Sequence, residues 1–472
     1  MRNTKIVCTI GPASEKEEIL RGIIEAGMNA SRHNFSHGDH KEHGERIKMV
    51  KELSKEYYKQ IAVILDTKGP EIRTGKFEGG KVELHSGEDF VIYCGEEVLG
   101  DTSKCSVTYS ELSKDVKPGD KILIDDGLVG LEVKNIEGNK IYTVVNNSGM
   151  VGTHKGVNVP GVSINLPAMT EKDREDLKFG CSIGVNIVAA SFIRKADDVL
   201  AIRKVLNENG GENIQIFSKI ENQQGVDNID EILEVSDGIM VARGDLGVEI
   251  PIEKVPSAQK MIIEKCNKVG KPVITATQML DSMMRNPRPT RAEVSDVANA
   301  ILDGTDAIML SGESANGSWP VDSVKTMAAI AEEAEQHLTY ESANLKFGKR
   351  AKTIGGAISR STCNVAMELN AAAIITSTQS GSTARRVSRY KPECPIIAVT
   401  SYEYVAKQLS LVWGVYPMLA DKIETTDEMI EQATEAAKKS GLVKKGDIIV
   451  LAAGLPIYEI GSTNMLKVSI VE

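Results

Sequence analysis

The sequence predicts an α/β protein built from a (β/α)8 TIM barrel, a small all-β domain inserted into the barrel, and a C-terminal open α/β domain. Eight short apolar runs alternate with amphipathic stretches, a pattern typical of a closed parallel barrel with helices outside. From about residue 70 to 165 this alternation is interrupted by shorter strand-like runs that turn residues separate. A new strand–helix alternation begins after about residue 340.

The size and composition indicate a protein of several domains. Because 472 residues exceed one compact core, we place the barrel in residues 1–69 and 167–340, the inserted domain in 70–166 and the C-terminal domain in 341–472. A net charge of −10 argues against a surface for nucleic acid or an anionic membrane. The seven cysteines form no C-x-x-C pair, and no signal peptide or membrane-spanning run is recognisable. A cytoplasmic location with reduced thiols is therefore expected.

The barrel strands are expected where β-branched and apolar residues cluster, and its helices where apolar residues recur with a helical period. Before the interruption, strands are predicted near residues 6–10, 28–32 and 61–65, with helices near 15–26 and 40–59. After it, strands are predicted near residues 185–190, 214–217, 238–241, 273–276 and 307–310. The helices that follow include those near residues 196–209, 254–269, 291–302 and 321–337.

The interruption is predicted to be an all-β domain. Turn pairs such as Pro118–Gly119 divide its strand-like runs, which lie near residues 81–84, 90–93, 121–124, 130–134 and 140–145. The chain leaves the barrel after Asp66, at the carboxyl end of a strand, where the active sites of such barrels lie. We therefore expect this domain to cover that face as a lid, with hinges at Gly69–Pro70 and Pro160–Gly161.

The pattern of predicted strands and helices in the C-terminal region is typical of an open α/β domain. Strands are predicted near residues 372–376, 396–400 and 447–452, and helices near 354–369, 405–411 and 428–440. Thr425 and Glu428 have the spacing of a capping box at the start of the last of these helices. A loop of small polar residues, 377–383, follows the first strand.

Charged and hydroxyl side chains gather where the predicted barrel strands end. Because strand side chains alternate between faces, Lys219 and Glu221 project to the same side. One such pair would be an ordinary salt bridge, but the pattern recurs at six strand ends, which carry Arg32 and Asn34, Asp66 and Thr67, Lys219 and Glu221, Arg243 and Asp245, Thr277, and Ser311 and Glu313. Six polar strand ends on one face indicate a catalytic centre.

The residue types suggest which chemistry this centre performs. Glu221 and Asp245 are hard oxygen ligands that suit Mg²⁺, although they could instead balance the charges of nearby cations. A cationic cluster suited to phosphate or carboxylate is expected from Arg32, Arg73, Lys219 and Arg243. A monovalent ion would suit the oxygens of Asn34, Ser36, Asp66 and Thr67. The set is compatible with phosphoryl transfer and with enolate chemistry on a small acid, and spacing leaves both open.

Seven segments of the chain resemble the pyruvate kinase family, in the family's order. They read TIGPAS at residues 9–14, RHNFSHG at 32–38, DTKGPEIR at 66–73, SKIEN at 218–222, MVARGDLG at 240–247, ATQML at 276–280 and LSGES at 310–314. The resemblance is to bacterial members without the additional C-terminal phosphodomain. It implies a homotetramer that makes pyruvate and ATP from phosphoenolpyruvate and ADP in glycolysis, with Mg²⁺ (or Mn²⁺) and K⁺ as cofactors.

The resemblance also implies roles for individual residues. Glu221 and Asp245 would hold Mg²⁺, and Lys219 would stabilise the phosphoryl group in transfer together with Arg32 and Arg73. The substrate carboxylate would contact Thr277 and the backbone of Gly244 and Asp245. K⁺ would bind Asn34, Ser36, Asp66 and Thr67, and the nucleotide would bind Asn34, His37, Arg73 and Lys155. Thr277 and Ser311 are candidates for a water-relayed proton to the enolpyruvate carbon.

Two positions depart from the family pattern. His33 stands where an apolar residue is usual, and strand alternation turns it away from Arg32 and Asn34, so we expect it to affect packing and not chemistry. Ser314 replaces a common threonine, and little effect is expected from this change.

A regulatory site is expected in the C-terminal domain. Taken alone, the loop 377–383 would be an ordinary turn, but the family binds phosphorylated effectors in this domain. Fructose 1,6-bisphosphate, AMP or ribose 5-phosphate would bind Ser377, Thr378, Ser380, Gly381, Ser382 and Thr383. Arg385 and Arg386 lie near the start of the following helix, and residues 461–464 would form a second wall.

The residue type at position 71, here Glu71, is relevant to whether activity depends on K⁺. In the family, glutamate at this position accompanies K⁺ dependence, and lysine accompanies independence. A lysine ammonium can supply a fixed positive charge, whereas glutamate cannot. The alternative is that Glu71 only pairs with a nearby arginine such as Arg73.

Two other functions are compatible with the residues. One is a Mg²⁺-dependent aldolase or lyase that forms an enolate without phosphoryl transfer, although Lys155 in the lid favours a nucleotide user. The other is a catalytically silent binding protein, against which the complete set of charged residues argues.

Overall fold

A computed structural model describes residues 2–339, 351–457 and 461–472. Eight parallel strands form a closed barrel, as the sequence predicts. In chain order they are Lys5–Thr9, Ala30–Asn34, Ala62–Asp66, Ile187–Ala190, Gln215–Ile220, Gly238–Ala242, Val273–Ala276 and Ala307–Leu310. Their side chains are almost all buried, because helices cover the outside and side chains fill the interior.

The six helices whose positions were predicted begin and end within a few residues of those positions, and five further helices among the described residues lie around the same barrel. In chain order the eleven described helices are Glu17–Ala26, His40–Glu56, Glu171–Ile183, Ala196–Glu208, Gln223–Asp227, Ile229–Val235, Arg243–Glu249, Val255–Val269, Arg291–Leu302, Gly312–Ala315 and Pro320–Glu335. The longest of the five without a predicted position is Glu171–Ile183, although Thr170 and Asp173 form a capping box at its start. Within the described part of the chain, no helix is long and apolar enough to cross a membrane.

The inserted segment forms two antiparallel-rich sheets around a core of its own. Its strands are Ile72–Arg73, Lys81–Leu84, Asp89–Cys94, Lys104–Val107, Lys121–Ile124, Val129–Glu137, Lys140–Val145, Gly149–Gly152 and Gly156–Asn158, with one short helix, Leu112–Asp115. Four of these strands, each of only two to four residues, were not predicted. They are Ile72–Arg73, Lys104–Val107, Gly149–Gly152 and Gly156–Asn158. The first and last strands pair with each other, so both ends of the insertion lie together above the barrel.

The C-terminal segment folds into a five-stranded sheet with helices on its faces. In chain order its strands are Ala373–Ser377, Ile396–Thr400, Val415–Leu419, Ile448–Gly454 and Thr463–Ile470, and its helices are Ile354–Glu368, Ser382–Ser388, Glu403–Leu409 and Thr426–Lys439. Only the last strand is antiparallel, and it lies at one edge. The third and fifth strands were missed, because Pro417 interrupts one and polar residues such as Asn464 and Lys467 interrupt the other. The predicted boundary at residue 340 lies outside the described residues.

Asp306 joins the barrel to the C-terminal sheet. It lies at the end of the barrel opposite the predicted site, where the strands begin. One carboxylate oxygen accepts the backbone N–H of Val273 at 3.0 Å. The other accepts the N–H of Trp413 at 3.2 Å and the ammonium of Lys391 at 3.3 Å. Burial lowers the pKa of Lys391, and the charge of Asp306 offsets part of that effect. The pair is therefore a buried connection between the two domains.

We predict that Asp306→Asn lowers the free energy of unfolding by about 3 kcal/mol, because Lys391 then remains buried without a countercharge. The two side chains are only 7% and 10% exposed, so water cannot replace the lost partner. Denaturant unfolding followed through the fluorescence of buried Trp413 would measure the change. Asp197→Asn, at an exposed position, is the control and should change little. Equal midpoints for the two variants would contradict the prediction.

Candidate active site

Lys219 lies at the centre of the polar cluster formed by the carboxyl ends of the barrel strands. Its ammonium is 3.1 Å from Asp66 Oδ1 and 3.0 Å from Glu221 Oε1, and it donates to Ser191 Oγ at 2.8 Å. Burial alone would lower the pKa of Lys219, but the two carboxylates outweigh burial and raise it above its ordinary value. Lys219 is therefore a fixed, permanent positive charge on the barrel face.

Arg32 and Asp66 form the second ion pair of the cluster. The Arg32 Nε–H donates to Asp66 Oδ2 at 2.5 Å, and Nη1 donates to the hydroxyl of Thr9 at 3.0 Å. Burial by itself would raise the pKa of Asp66, but the charges of Arg32 and Lys219 hold it below its ordinary range. Asp66 is thus an anion shared by two cations, which fixes both side chains.

The two carboxylate oxygens of Glu221 have different partners. Oε2 accepts the backbone N–H of Phe192 at 2.6 Å, whereas Oε1 is ion-paired with the Lys219 ammonium at 3.0 Å and has no further partner within the described residues. Burial raises the pKa of Glu221 to about 7, and the charge of nearby Asp245 raises it as well. A buried carboxylate beside a second carboxylate has the donor set that a hard divalent cation prefers.

Thr277 and Gln278 form a strained turn after strand Val273–Ala276. Their φ angles of +69° and +54° lie in the left-handed region, which is costly for a β-branched residue. The Thr277 hydroxyl accepts the N–H of Gly244 at 2.8 Å and donates to the Ala276 carbonyl at 2.6 Å. The Gly244 N–H, expected to face a substrate carboxylate, therefore already contacts Thr277.

Arg243 does not point into the cationic cluster that the sequence predicts. Its guanidinium donates to the carbonyls of Ala276 and Thr277 at 3.1 and 2.8 Å, and to Asp296 at 2.7 Å. The expectation was wrong because Arg243 is the first residue of a helix, and the backbone turns its side chain sideways under the Thr277 turn. Arg243 supports that turn and leaves Arg32 and Lys219 as the buried cations.

Ser311 ends the last barrel strand, and Glu313 fixes its backbone. The N–H groups of Ser311 and Leu280 donate to the two Glu313 oxygens at 2.8 and 3.0 Å. Burial raises the pKa of Glu313. The Ser311 hydroxyl is buried and has no hydrogen-bond partner among the described residues. It is thus available to a molecule in the site.

The inserted domain brings further charges to the same face. Arg73 pairs with Glu71 at 2.6 Å, which is the alternative contact considered for Glu71, and it donates to the His154 carbonyl at 2.8 Å. Lys155 donates to Asp125 at 3.0 Å. These side chains and Asp245 line a cleft of about 280 Å³ between the inserted domain and the barrel. The upper wall of the cleft thus carries both cations and carboxylates, and its lower wall carries the carboxylates of Asp245 and Glu249 and the guanidinium of Arg194.

The four residues proposed for a monovalent ion lie at the ends of the second and third barrel strands. Asn34 Oδ1 accepts the N–H of Ser36 at 3.2 Å, and the carbonyl of Thr67 accepts the Ser191 hydroxyl at 2.6 Å. His37 lies just beyond, at an exposed position. Ser191 was missed by the sequence analysis, although it directly follows a barrel strand. The rule applied to the other strand ends would have found it.

The two departures from the family pattern lie in the packing below the site. His33 is fully buried, and burial lowers its pKa to about 3, so the ring is neutral. Its Nε2 lies 3.2 Å from Ser31 Oγ, and its ring meets that of His43 edge-on at 6.3 Å. The hydroxyl of Ser314 donates to the Thr9 carbonyl at 2.8 Å. Both side chains therefore contact protein groups, as expected for packing positions.

A second cavity lies in the C-terminal sheet. Its walls include five of the six residues expected at an effector site, Ser377, Thr378, Ser380, Ser382 and Thr383, together with Gly461 and Ser462 of the expected second wall. Gly381 lies within the same loop, with a left-handed φ of +78°. Arg385 donates to the Ser380 carbonyl at 3.0 Å and Arg386 to the Gly461 carbonyl at 2.7 Å, so both arginines brace the walls.

Comparison with known proteins agrees with this arrangement. The family described as "Pyruvate kinase, barrel domain" matches residues 1–324, and "Pyruvate kinase, alpha/beta domain" matches residues 356–469. The pyruvate kinase of Clostridium acetobutylicum is 64% identical over the whole of both chains. That of Geobacillus stearothermophilus is 56% identical over 100% of this chain and 80% of its own, and that of Clostridium perfringens is 54% identical over 99% of each. The chain therefore belongs to the pyruvate kinase family of phosphotransferases.

Proposed function

We propose that the chain transfers the phosphoryl group of phosphoenolpyruvate to ADP, giving pyruvate and ATP as the last step of glycolysis, with Mg²⁺ and K⁺ as cofactors. The observation that carries this proposal is the buried Lys219 ammonium, held between the carboxylates of Asp66 and Glu221. A preorganised cation of this kind stabilises the charge on a phosphoryl group as it moves. Membership of the family supports the same substrates.

The donor set of Glu221 and Asp245 fits Mg²⁺, or Mn²⁺ in its place. A hard cation takes oxygen ligands and keeps several positions for water and substrate oxygens, so two protein carboxylates suffice. Glu221 Oε1 is buried, and its one close partner among the described residues is the Lys219 ammonium, so it retains a lone pair for a metal ion. When bound, the ion would neutralise negative charge on the substrate oxygens.

The side chains of the barrel would hold the phosphoryl group while one P–O bond to the enol oxygen breaks and another to the terminal ADP phosphate forms. Lys219 and Arg32 would contact its oxygens, because Arg32 retains N–H donors beyond those used by Asp66 and Thr9. The Thr277 hydroxyl and the backbone at Gly244 and Asp245 would orient the substrate carboxylate. The enolate is then protonated at carbon, and the unpartnered Ser311 hydroxyl, with Thr277, would relay that proton through water.

Residues 70–166 would act as a lid over the nucleotide. Lys155 and Arg73 line the cleft, and both now pair with carboxylates of the same domain, Asp125 and Glu71. Nucleotide phosphates would compete for these cations, while Asn34 and His37 would contact the nucleotide from the barrel. Asn158 donates to Glu249 at 2.7 Å and already joins the two walls of the cleft.

We infer that the chain assembles as a homotetramer, as the family expectation holds. Support comes from strand Thr463–Ile470, which forms one edge of the C-terminal sheet. Its residues Val468 and Ile470 are 41% and 64% exposed. An apolar, unpaired strand edge favours pairing with another chain.

We propose that the cavity at loop 377–383 binds a phosphorylated activator, either a sugar phosphate or AMP. Its hydroxyl and backbone groups suit phosphate oxygens, and Lys422 in the lining offers positive charge. Because the arginines of the following helix brace the cavity walls, hydroxyl groups would provide most of the contacts.

A coupled assay for pyruvate release tests the central proposal. Release should require phosphoenolpyruvate, ADP and Mg²⁺ together. Pyruvate release without ADP would instead indicate a lyase-like enolate reaction.

The first set of active-site variants distinguishes the role of Lys219 from the roles of the metal ligands. Glu221→Gln or Asp245→Asn should raise the Mg²⁺ concentration needed for half-maximal activity, because each loses a hard anionic ligand. Lys219→Met should lower kcat by about a hundredfold or more while sparing KM for phosphoenolpyruvate, because its charge acts on the moving phosphoryl group. Steady-state kinetics measure both effects, and a Lys219→Met enzyme with near-normal kcat would exclude the assigned role.

The second prediction concerns the activator. Fructose 1,6-bisphosphate, AMP or ribose 5-phosphate, titrated separately, should lower the phosphoenolpyruvate concentration needed for half-saturation. Ser382→Asp should abolish the response and leave the basal activity intact, because a carboxylate in the cavity repels phosphate. Ser361→Asp, at an exposed position of the same domain outside the cavity lining, is the matched control. If none of the three compounds changes saturation, the proposed site is wrong.

The third prediction is dependence on K⁺. Activity should fall strongly when tetramethylammonium replaces K⁺ at constant ionic strength, because the phosphates need the charge that the ion brings. Glu71→Lys should restore part of the K⁺-free activity by supplying an ammonium group. If Glu71 serves only to hold Arg73, this variant would instead lower activity with and without K⁺. Equal activity of the unmodified enzyme in the two cations would refute K⁺ dependence.

A further inference from the structure

The loop of residues 34–38 joins strand Ala30–Asn34 to helix His40–Glu56. It carries three residues proposed to bind K⁺ or nucleotide: Asn34, Ser36 and His37. The Phe35 N–H donates to the Asp66 carbonyl at 2.9 Å, and His43 contacts the His37 carbonyl through Nε2 at 2.8 Å. The Phe35 carbonyl accepts a hydrogen bond from outside this loop and helix, from a residue of helix Glu171–Ile183.

That residue is Lys172. Its ammonium donates to the Phe35 carbonyl at 2.7 Å and to Asp176 Oδ2, one turn further along the helix, at 2.7 Å. The other Asp176 oxygen lies 2.7 Å from His40 Nε2, and the His40 ring stacks on Phe179 at 4.4 Å. The Asp176 side chain is only 2% exposed. One buried carboxylate therefore fixes the lysine that holds the loop and the first residue of the helix that follows the loop.

The same helix also holds the chain at the entry to the inserted domain. Asp173 Oδ1 accepts the N–H of Gly69 at 3.0 Å, and Oδ2 accepts the N–H of Thr170, the N-cap of the helix, at 2.8 Å. Gly69 has a left-handed φ of +72°, and a Cβ there would lie 2.8 Å from Ser191 Cβ. The start of the helix thus contacts the residue that leads into the insertion, and that residue adjoins Ser191 of the Lys219 cluster.

We propose that Lys172 and Asp176 are positioning residues that set the loop 34–38 at the geometry required for K⁺ and nucleotide binding. This inference rests on the proposed function of that loop. Neither residue belongs to the segments that carry the family resemblance, and neither points into the cleft. They act through the Phe35 carbonyl and the start of helix His40–Glu56.

Hydrogen exchange tests whether the contact holds the loop. In the full-length protein, Lys172→Met and Asp176→Asn should speed exchange in peptides that cover residues 34–40. Lys178→Met is the matched control, because Lys178 lies on the same helix and its ion pair in the described structure is with the exposed Glu175. Lys172→Arg should keep exchange close to that of the unmodified protein, since a guanidinium can donate to the same carbonyl. Lys172 is half exposed, so the Lys172 variants should fold.

Kinetics and K⁺-dependent melting test whether this positioning has a function. Lys172→Met should raise the K⁺ concentration for half-activation and the KM for ADP by about tenfold, the usual effect of losing one charge-assisted hydrogen bond. The kcat at saturating K⁺ and ADP should stay within about twofold. The rise in melting temperature with added KCl should need correspondingly more salt than in the control.

Each outcome decides the inference. The inference is supported if exchange at residues 34–40 is faster and both the K⁺ concentration for half-activation and the KM for ADP are raised. If these two constants are unchanged, the inference is overturned whether or not exchange changes. A loss of kcat with unchanged constants would indicate a merely structural role and also overturn it. If the unmodified enzyme shows no activation by K⁺, the proposed K⁺ site fails, and the KM for ADP alone then decides whether Lys172 positions the loop.

Discussion

The rest of the structure depends on four buried charges at the carboxyl ends of the barrel strands. They are those of Arg32, Asp66, Lys219 and Glu221. Burying any one of them alone would cost several kcal/mol, so each is stable only beside its partners. The neighbouring strands supply what the ion pairs leave unsatisfied, through the Thr9 hydroxyl, the Ser191 hydroxyl and the Phe192 N–H. Glu221 Oε1 has no partner among the described residues besides the Lys219 ammonium, so it still has a lone pair for a ligand.

Much of this arrangement follows from periodicity. The two-residue repeat of a strand places Lys219 and Glu221 on one side, and eight strand–helix repeats close the barrel, so sequence alone predicted both. Periodicity says nothing about a residue that begins a helix, which is why the direction of Arg243 was missed. Nor does it find helix Glu171–Ile183, whose buried aspartates depend on distant backbone groups such as the Gly69 N–H. Strand Val415–Leu419 was overlooked because Pro417 lies in its middle, and proline argues against a strand within a sheet.

The C-terminal sheet illustrates how a cation can serve structure instead of ligand binding. Arg385 and Arg386 seemed placed for phosphate, yet both donate to backbone carbonyls of the cavity walls. Burial lowers the pKa of Arg385, a cost that a guanidinium tolerates because its charge is delocalised. The arginines thereby fix the backbone of the two loops at Ser380 and Gly461, and hydroxyl groups of these loops line the cavity. Arg243 does the same for the strained Thr277 turn in the barrel.

The pairing of the insertion's first and last strands has a consequence for how the chain folds during synthesis. Strand Ala62–Asp66 must pair with Ile187–Ala190, which leaves the ribosome only after the whole insertion. Loop-closure entropy opposes contacts between such distant segments, and domains generally fold as units while the rest of the chain is still being made. Because Ile72 pairs with Val157, a folded insertion brings its own two ends together. The insertion therefore acts as a bridge that keeps the third and fourth barrel strands within pairing distance before the barrel closes.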